Sequence, residues 1–261
     1  MFFPLMSIPG FIGWAESLYL GPNNWERTDK RDKQLHILWS DGSKWKSEFI
    51  KTVKYGDSFL IDTDSISKNK VNSGLAVLYA ADDYLAGELD FLPKEKTWST
   101  EIPNWRVSTG FKRGDTQVSY QGEIDPPLPD RASLITFHPF IQFRNVENFL
   151  LVLNLRDNPI IETAEIEIYE SYSRRFVGTS QISTNSVSMI PLDEFNFKPT
   201  DLPVFICRSI AGVPFGFGVG KDGNMLSLEH TLPPGSFSLF GDRRKVQSEL
   251  KTNWFQTLRK E

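Results

Sequence analysis

A period of two residues is clearest in the stretch Ala164-Glu-Ile-Glu-Ile-Tyr169, where apolar residues alternate with glutamates. Successive side chains of a strand point to opposite faces of its sheet, so this alternation predicts a strand with one buried face. The stretch Gln34-Leu-His-Ile-Leu-Trp39 alternates in the same way. Two continuous apolar runs, at residues 75–79 and 149–153, predict central strands that are buried on both faces.

Turn residues separate these predicted strands. The clusters Ser40-Asp-Gly-Ser43 and Lys221-Asp-Gly-Asn224 are typical of tight turns. The 16 prolines and 18 glycines are spread along the chain, which suits many short strands joined by turns. We therefore expect an all-β fold built from antiparallel β-sandwiches.

The two halves of the chain carry similar patterns when one is displaced by 129 residues against the other. The aligned stretches are 9–14 with 138–143, 35–39 with 164–168, 59–66 with 188–195, and 75–78 with 204–207. Few residues are identical, so the prediction depends on apolar residues that keep strand register. We expect two tandem β-sandwich domains related by internal duplication. The alternative is that any two β-rich halves with similar strand spacing align in part.

The expected duplication divides the chain into four parts. A first β-sandwich at residues 1–106 and a second at residues 138–241 flank a connector at residues 107–137. The connector contains Asp125-Pro-Pro-Leu-Pro-Asp130, and its prolines favour a stiff, extended chain. Residues 242–261 are expected to form a C-terminal helix.

The C-terminal helix is predicted to be amphipathic. Val246, Leu250, Trp254 and Leu258 recur every four residues, and Asp242 can cap the helix N-terminus. We expect this helix to cover an open end or an edge strand of a sandwich. Docking onto a membrane surface or a partner protein is the alternative.

Composition and charge exclude several classes of protein. Hydrophobic residues make up 39% of the chain and aromatic residues 13%, which is enough apolar area to argue against disorder. The net charge of −4 argues against a nucleic-acid binder, which concentrates basic residues. No apolar run reaches the roughly 20 residues of a transmembrane helix. We recognise no signal peptide and expect a cytoplasmic protein, with surface association as an alternative.

Metal and cofactor sites are not expected. The three histidines, His36, His138 and His230, and the single cysteine, Cys207, do not lie at the spacing of metal ligands. The glycine-rich stretch Phe215-Gly-Phe-Gly-Val-Gly220 leads into a turn and not a helix, so it lacks the setting of a nucleotide loop. It predicts a strand with one bare face, which another backbone or a flat ligand ring could approach, and close packing is the favoured reason. Cys207, in an apolar run, is expected to be buried and inert.

Two polar stretches supply the candidate catalytic residues. They are Ser119-Tyr-Gln-Gly-Glu123 and Ser227-Leu-Glu-His-Thr231. Glu229 and His230 are adjacent and point to opposite faces of a strand, so His230 needs an acid from elsewhere, such as Glu123. If these groups meet, His230 is a general base, Glu229 and Glu123 are acidic partners, and Tyr120 is a general acid. The alternative is a network of structural hydrogen bonds.

Aromatic residues supply the candidate ligand-binding site. Trp39, Trp45, Trp98 and Trp105 lie near polar residues, and planar indole faces beside hydrogen-bonding groups suit a sugar ring. Gln121 and Ser227 are the candidate polar contacts. The alternative is that most of the seven tryptophans fill the cores of the sandwiches.

Several motifs resemble those of a little-characterised bacterial family of tandem β-sandwich proteins. They are Ser119-Tyr-Gln-Gly-Glu123, Ile210-Ala-Gly-Val-Pro214, Leu226-Ser-Leu-Glu-His-Thr-Leu-Pro-Pro234 and Trp254, and the resemblance spans roughly residues 100–258. It implies an association with surface-polysaccharide loci and a glycan-related role, without any assigned catalytic residue. The family motif carries a second histidine where this chain has Leu232, so a function of paired histidines is not expected here.

The sequence favours a non-catalytic binding or assembly module whose ligand is a carbohydrate or a partner protein. A duplicated scaffold, many aromatic residues and no complete catalytic motif support this hypothesis. One alternative is a sugar-modifying enzyme with its site between the connector and the second domain. Another is a self-assembling, capsid-like shell protein, in which case the chain forms homo-oligomers.

Overall fold

The computed structural model describes residues 2–19, 23–24, 27–28, 31–94, 105–122, 124, 127–130, 132–138, 145–198, 200–230 and 243–258. These residues form two compact units. Unit 1 consists of Met1–Asp130 together with Leu153–Glu162 and Ser183–Ser188. Unit 2 consists of Arg131–Val152, Thr163–Ile182 and Met189–Glu261. The division therefore does not follow a single cut in the sequence.

The first half of the chain supplies eleven strands in the described residues of unit 1. They are β1 Phe2–Met6, β2 Ile12–Tyr19, β3 Asn23–Asn24, β4 Arg27–Thr28, β5 Lys33–Ser40, β6 Trp45–Val53, β7 Ser58–Asp62, β8 Leu75–Ala81, β9 Glu88–Leu89, β10 Trp105–Arg113 and β11 Thr116–Gln121. A 3₁₀ helix, Lys68–Val71, lies between β7 and β8. One sheet has the order β1-β8-β5-β6-β9 and another the order β11-β10-β2-β7, while β3 pairs with β4.

The core of unit 1 lies between its two larger sheets. Leu35 and Ile37 of β5 are fully buried in it, which confirms the strand predicted from the alternation at residues 34–39. From the facing sheet, Tyr19 of β2 stacks on Trp105 of β10, with ring centroids 4.4 Å apart. Alternate residues of both sheets thus meet in one apolar layer, as in a β-sandwich.

The predicted connector contains two strands of unit 1. Residues 107–121 lie largely in β10 and β11, and β10 is hydrogen-bonded to β2 on one side and to β11 on the other. The physical reason is the alternation along β10, where Val107 and Phe111 are buried and Arg106 is exposed. The first half of the expected connector is therefore part of a sheet.

The second half of the chain supplies eight strands and one α-helix in its described residues. They are β12 Leu134–Phe137, β13 Val146–Asn154, β14 Thr163–Glu170, β15 Phe176–Ser183, β16 Ser186–Pro191, β17 Pro203–Cys207, β18 Val213–Gly220, β19 Leu226–His230 and α1 Arg243–Thr257. A 3₁₀ helix, Leu192–Glu194, follows β16. One sheet has the order β12-β17-β14-β15 and the other the order β16-β13-β18-β19.

The core of unit 2 confirms the strand predicted from residues 164–169. Ile166 and Ile168 of β14 are fully buried and pack with Leu150 of β13 in the same apolar cluster. Cys207 of β17 belongs to this cluster and is a buried free thiol, as expected. Tyr169 points to the opposite face of β14 and is buried there.

Helix α1 covers that opposite face. Trp254, Phe255 and Leu258 pack against an apolar cluster on β12, β14 and β17 that includes Tyr169 and Ile206. The sequence predicted a helix that covers an open end or an edge strand of a sandwich; the helix is present but packs on the face of a sheet. The proposed cap Asp242 and the side chains of Val246 and Leu250 lie outside the described part of the structure. Among the described residues, no helix has the length and apolar character that crossing a bilayer requires.

Eight strands of the first half have counterparts in the sheet orders of the second half, whereas β3, β4 and β9 have none among the described residues. The order β1-β8-β5-β6 in the first half matches β12-β17-β14-β15 in the second, and β11-β10-β2-β7 matches β19-β18-β13-β16. The sequence alignment follows this correspondence from β5 to β8. Further on, the same displacement of 129 residues would place Gly87 opposite Gly216, but Gly87 lies before β9 whereas Gly216 lies within β18, so the alignment fails there.

Candidate functional site

The four predicted tryptophans have different positions in the structure. Trp39, on β5, is half-buried. Trp45 is buried and its Nε1 donates a hydrogen bond to the carbonyl oxygen of Asp157 at 2.8 Å. Trp105 is buried in the core of unit 1, and Trp98 lies outside the described residues. Trp45 and Trp105 therefore pack in the interior of unit 1. Among the described tryptophans of this set, Trp39 is the one whose ring is accessible to solvent.

The structure describes the side chains of two of the four predicted catalytic residues. Tyr120 is half-buried on β11 of unit 1, and Glu229 is exposed on β19 of unit 2. Glu123 and the side chain of His230 lie outside the described part of the chain. The acid–base set thus stays a prediction, because the structure does not describe how these groups meet.

The predicted polar contacts lie on two strands. Gln121 is exposed on β11, opposite Ser108 of β10. On β19, Ser227 is half-buried and Glu229 is exposed, whereas Leu228 between them is buried. The alternation of β19 therefore places Ser227 and Glu229 on one face, as expected.

The histidine side chains that the structure describes, those of His36 and His138, are buried and lie within hydrogen-bond distance of other protein groups. His36 is buried, its Nδ1 lies 3.0 Å from Ser47 Oγ, and burial lowers its pKa. His138 is buried and its Nε2 lies 2.9 Å from the carbonyl oxygen of Phe149. No group of three or more His, Cys, Asp or Glu residues among those described is arranged to hold a metal ion.

A cleft of about 1020 Å³ within unit 1 brings Trp39 together with many polar groups. Its apolar wall is formed by Ile8, Pro9, Trp39, Val71, Ile161 and Val187. Most of its other lining residues are polar, and serines are the most frequent among them. The lining comes from the turn before β2, from β5 and β6, from the end of the first 3₁₀ helix, and from the two later segments of unit 1.

Gly74 is a lining residue of the cleft whose backbone conformation and close contacts require glycine. It adopts a positive φ of 79°, which favours glycine, and its carbonyl oxygen accepts a hydrogen bond from Ser7 N at 2.8 Å. A Cβ atom at this position would lie 2.8 Å from the carbonyl oxygen of Val187. The segment around Val187 is further held by a hydrogen bond from its N–H to Ser73 O at 3.3 Å.

Asp41 places a fixed negative charge in the cleft. Its Oδ1 accepts hydrogen bonds from the N–H of Lys44 at 2.8 Å and from the N–H and hydroxyl of Ser43 at 2.9 and 2.8 Å. These bonds, led by that of Lys44, hold the pKa of Asp41 well below its usual range. Its Oδ2 lies 3.2 Å from Lys46 Nζ. Asp41 is therefore an ionised hydrogen-bond acceptor in a rigid turn.

Lys46 places a positive charge beside this carboxylate. It pairs with Glu88 as well as with Asp41, and these two hydrogen bonds, Glu88 first, raise its pKa. Since both Asp41 and Lys46 stay charged at neutral pH, the cleft offers an acceptor and a donor side by side.

Two asparagines complete the polar lining. Asn69 and Asn72 are exposed, and their side-chain amides have no hydrogen bond within the described chain. Each amide offers two donor hydrogens and one acceptor oxygen. By contrast, Ser40 Oγ accepts from Gly42 N at 2.9 Å, and Ser186 Oγ donates to Ser183 O at 2.8 Å. The two asparagines are thus the polar groups most available to a ligand.

Trp39 is held in place by a cation. Lys70 Nζ lies 5.5 Å from the centroid of the indole ring, and Lys70 also pairs with Glu48 at 2.5 Å. Such cation–π contacts favour one ring position over others. Trp39 also packs on the core of unit 1, so its ring is a rigid part of the cleft wall.

Comparison of the chain with models of protein families, with curated protein sequences and with solved structures found no match. The resemblance to a bacterial family therefore stays a prediction.

Sequence reasoning identified Trp39 but not most of its neighbours. Asn69 and Asn72 lie in a polar stretch without a recognised motif, and Ser186 and Ser188 lie far away in the sequence. No local pattern links these residues. Their proximity depends on the assignment of Ser183–Ser188 to unit 1, which is a tertiary feature.

Proposed function

We propose that this protein is a non-catalytic carbohydrate-binding module and that the cleft around Trp39 is its binding site. The observation that carries the proposal is the combination, in one cleft, of a rigid indole ring with the Asp41–Lys46 pair and the amides of Asn69 and Asn72. Sugars bind through apolar C–H groups and through hydroxyls that both donate and accept, and this lining meets both needs.

The size of the cleft supports an oligosaccharide ligand. About 1020 Å³ lies at the upper end of the range of ligand-binding cavities, and it exceeds what one sugar ring occupies. The serine-rich lining beyond Asp41 supplies further hydrogen-bonding groups along the cleft. A chain of several sugar units is therefore the better fit.

The charge state of Asp41 supports binding over catalysis. Hydrolysis of a glycosidic bond commonly requires two carboxyl groups, one of them protonated as a general acid. Among the described lining residues Asp41 is the carboxylate, and its low pKa keeps it ionised at neutral pH. It is suited to accept hydrogen bonds from sugar hydroxyls.

A glycan array followed by calorimetry with the best-bound glycan tests the proposal. Replacing both amides, in Asn69→Ala/Asn72→Ala, is expected to weaken binding about tenfold, because each lost hydrogen bond costs about 1 kcal/mol or less. Asn224→Ala, at an exposed asparagine of unit 2, is the matched control and is expected to bind normally. Absence of binding to any glycan, or equal affinities of both variants and the unchanged protein, would contradict the proposal.

We infer further that the two halves of the chain arose by duplication of one β-sandwich. The correspondence of eight strands in the sheet orders supports this inference, as does the alignment of apolar residues from β5 to β8 with β14 to β17. The displacement of 129 residues places Asn69 and Asn72 opposite Lys198 and Asp201, so the two amides of the cleft have no equivalent in the second copy. Binding would then be a property acquired after the duplication, because the cleft takes lining residues from both copies, such as Asn69 from the first and Ser186 from the second.

A further inference from the structure

The apolar wall of the cleft around Trp39 is larger than stacking on one sugar ring requires. Four residues of this wall are exposed or half-buried and therefore accessible to a ligand: Pro9, Trp39, Val71 and Ile161. One indole face is enough to stack on the C–H groups of a sugar ring. The other three residues offer apolar surface that the hydroxyl groups of an unsubstituted sugar would cover poorly, because a hydroxyl without a partner is costly to remove from water.

The segment Asn69–Asn72 places amide groups and an apolar side chain within four residues of the chain. The amides of Asn69 and Asn72 are exposed and have no hydrogen bond within the described chain. Val71 packs on the core of unit 1, which holds it in place. Because a carboxamide both donates and accepts, each asparagine can pair with another amide through its N–H or its C=O.

The charges of the cleft disfavour an anionic sugar. Lys46 is the cation among the described lining residues, and it already pairs with Asp41 and Glu88. These three groups together leave one surplus negative charge, which would repel a carboxylate on the ligand. The surplus alone does not distinguish a neutral sugar from a cationic one.

The apolar wall makes that distinction. An ammonium group placed against Val71 and Ile161 would lose water without gaining a partner there. An acetamido group has an N–H and a C=O that suit the amides of Asn69 and Asn72, and a methyl group that suits the apolar side chains. The lining therefore matches an N-acetylated amino sugar better than a plain or a cationic one.

We propose that the cleft selects oligosaccharides that contain N-acetylated amino sugars, with Asn69 and Asn72 binding the acetamido group and Val71 and Ile161 contacting its methyl group. This inference rests on the proposed function, since it names the class of sugar for the same cleft. A buried methyl group strengthens binding about fourfold and a net hydrogen bond a further few-fold. An acetamido group should therefore bind about tenfold more tightly than a hydroxyl group at the same position.

Pairs of sugars that differ only in this substituent test the proposal. Chitotetraose and cellotetraose share one backbone, but the first carries acetamido groups where the second carries hydroxyl groups. N-acetyl-D-galactosamine and D-galactose form a second pair of different configuration. Calorimetry, with saturation-transfer nuclear magnetic resonance for weak ligands, is expected to show about tenfold tighter binding of the N-acetylated member in at least one pair. Deacetylated chitotetraose, which carries amino groups, is expected to bind more weakly than chitotetraose.

A variant in the apolar wall links the preference to the cleft. Ile161→Ala is expected to weaken the binding of the preferred N-acetylated sugar about threefold to tenfold and that of its hydroxyl counterpart less than about twofold. Ile160→Ala is the matched control, because Ile160 is the neighbouring residue and is 52% exposed but does not line the cleft. It is expected to leave both affinities unchanged. Both isoleucines are exposed, so neither variant removes a core residue.

Three results would overturn the inference and leave the proposed function standing. The first is binding of another glycan on the array while neither N-acetylated sugar binds more tightly than its counterpart. The second is tighter binding of deacetylated chitotetraose than of chitotetraose, which would show that charge governs the choice. The third is an equal effect of Ile161→Ala and Ile160→Ala on the preference. Absence of binding to every glycan would contradict the proposed function together with this inference.

Discussion

The imidazole ring of His138 lies against Gly216, and its Cε1 atom is 3.0 Å from the position that a Cβ atom on that glycine would take. The ring is buried, and its Nε2 lies 2.9 Å from the carbonyl oxygen of Phe149, which restrains it. The glycine-rich strand β18 thus has its bare face at this point because a flat side chain packs there. The sequence predicted that another backbone or a flat ligand ring could approach this face, with close packing as the favoured reason; the group that packs there is a side-chain ring of the protein itself.

Gly216→Ala is expected to destabilise the protein by about 1–3 kcal/mol. The added methyl group would overlap the His138 ring, which cannot move without losing its contact with Phe149 O, and overpacking of this kind has costs in that range. Urea unfolding followed by circular dichroism measures the change in the unfolding free energy.

Gly87→Ala is the control for this substitution, because nothing lies within 4 Å of the Cβ position at Gly87. It is expected to change stability by less than about 0.5 kcal/mol. In a His138→Ala background, Gly216→Ala should cost less than in the unchanged protein. An equal cost in both backgrounds would show that the ring is not the source of the strain.

Asn185 is expected to be among the most sensitive polar residues of unit 1. It is buried with a positive φ of 50°. Its Oδ1 accepts a hydrogen bond from Arg156 N at 2.8 Å, and its Nδ2 donates to the carbonyl oxygens of Asn158 at 2.8 Å and Ile160 at 3.2 Å. Asn185→Gly keeps the backbone conformation but loses these bonds, and a loss of about 2 kcal/mol follows.

Asn185→Ala is expected to cost about 1 kcal/mol more than Asn185→Gly, since alanine is strained at positive φ. Thermal unfolding of the two variants separates the backbone contribution from that of the side chain. Equal stabilities of the two variants would show that the positive φ carries no cost.

The stability of unit 2 is expected to fall at acidic pH through Glu170. Burial raises the pKa of this carboxyl group, but hydrogen bonds from the hydroxyl and N–H of Ser173 and the N–H of Tyr172 lower it to about 2, against an ordinary value of 4.5. Because the folded-state pKa is the lower one, the contribution is present above pH 4.5. It is lost as the pH falls towards 2.

Urea unfolding at pH 7, 5 and 3 checks this expectation. Glu170→Gln is expected to lower the stability at pH 7 by about 2 kcal/mol and to flatten the pH dependence. Glu194→Gln, at an exposed carboxylate of the same unit, changes the net charge equally and is expected to keep the slope. Parallel pH profiles for Glu170→Gln and the unchanged protein would contradict the assignment.

Leu258→Ala is expected to loosen helix α1 more than the rest of unit 2. Leu258 is 6% exposed and packs with Ile135, Tyr169, Val204 and Ile206. Truncating such a residue costs about 2–3 kcal/mol, most of which falls on the docking of the helix. Hydrogen exchange should rise selectively across Arg243–Thr257. Gln256→Ala, at an exposed position, should leave the exchange unchanged, and uniform protection in Leu258→Ala would count against a separately docked helix.

The sequence predicted those strands whose own residues show a clear hydrophobic pattern. The alternation at residues 34–39 and 164–169 identifies β5 and β14 because apolar residues recur at every second position. The exposed face that the alternation predicts is not found, since Leu38 of β5 and Tyr169 of β14 are buried on the other face. The strands β10 and β11 were missed because the prolines that follow them suggested a connector. Apolar residues such as Val107 and Phe111 alternate there, but the signal is broken by Gly110.

Of the residues that line the candidate cleft, the sequence predicted Trp39 alone as a site residue. Trp39 stands out in the sequence as a tryptophan beside a turn, and it does line the cleft. Trp45 and Trp105 have equally polar neighbours in sequence, yet they are buried in unit 1. Local sequence does not distinguish an accessible indole from a buried one, because that difference depends on which distant segment packs over it.

Unit 1 is built from three separate segments of the chain, and this determines when its cleft is complete during synthesis. Ile161, Ser186 and Ser188 line the cleft, so the cleft is incomplete when Asp130, the end of the first segment of unit 1, has been synthesised. At about 5–20 residues per second, the ribosome needs about 3–12 s to pass from Asp130 to Ser188. A nascent chain therefore carries most of the sandwich before it carries a finished cleft, and the proposed binding of a ligand would be deferred until the second half of the chain has emerged.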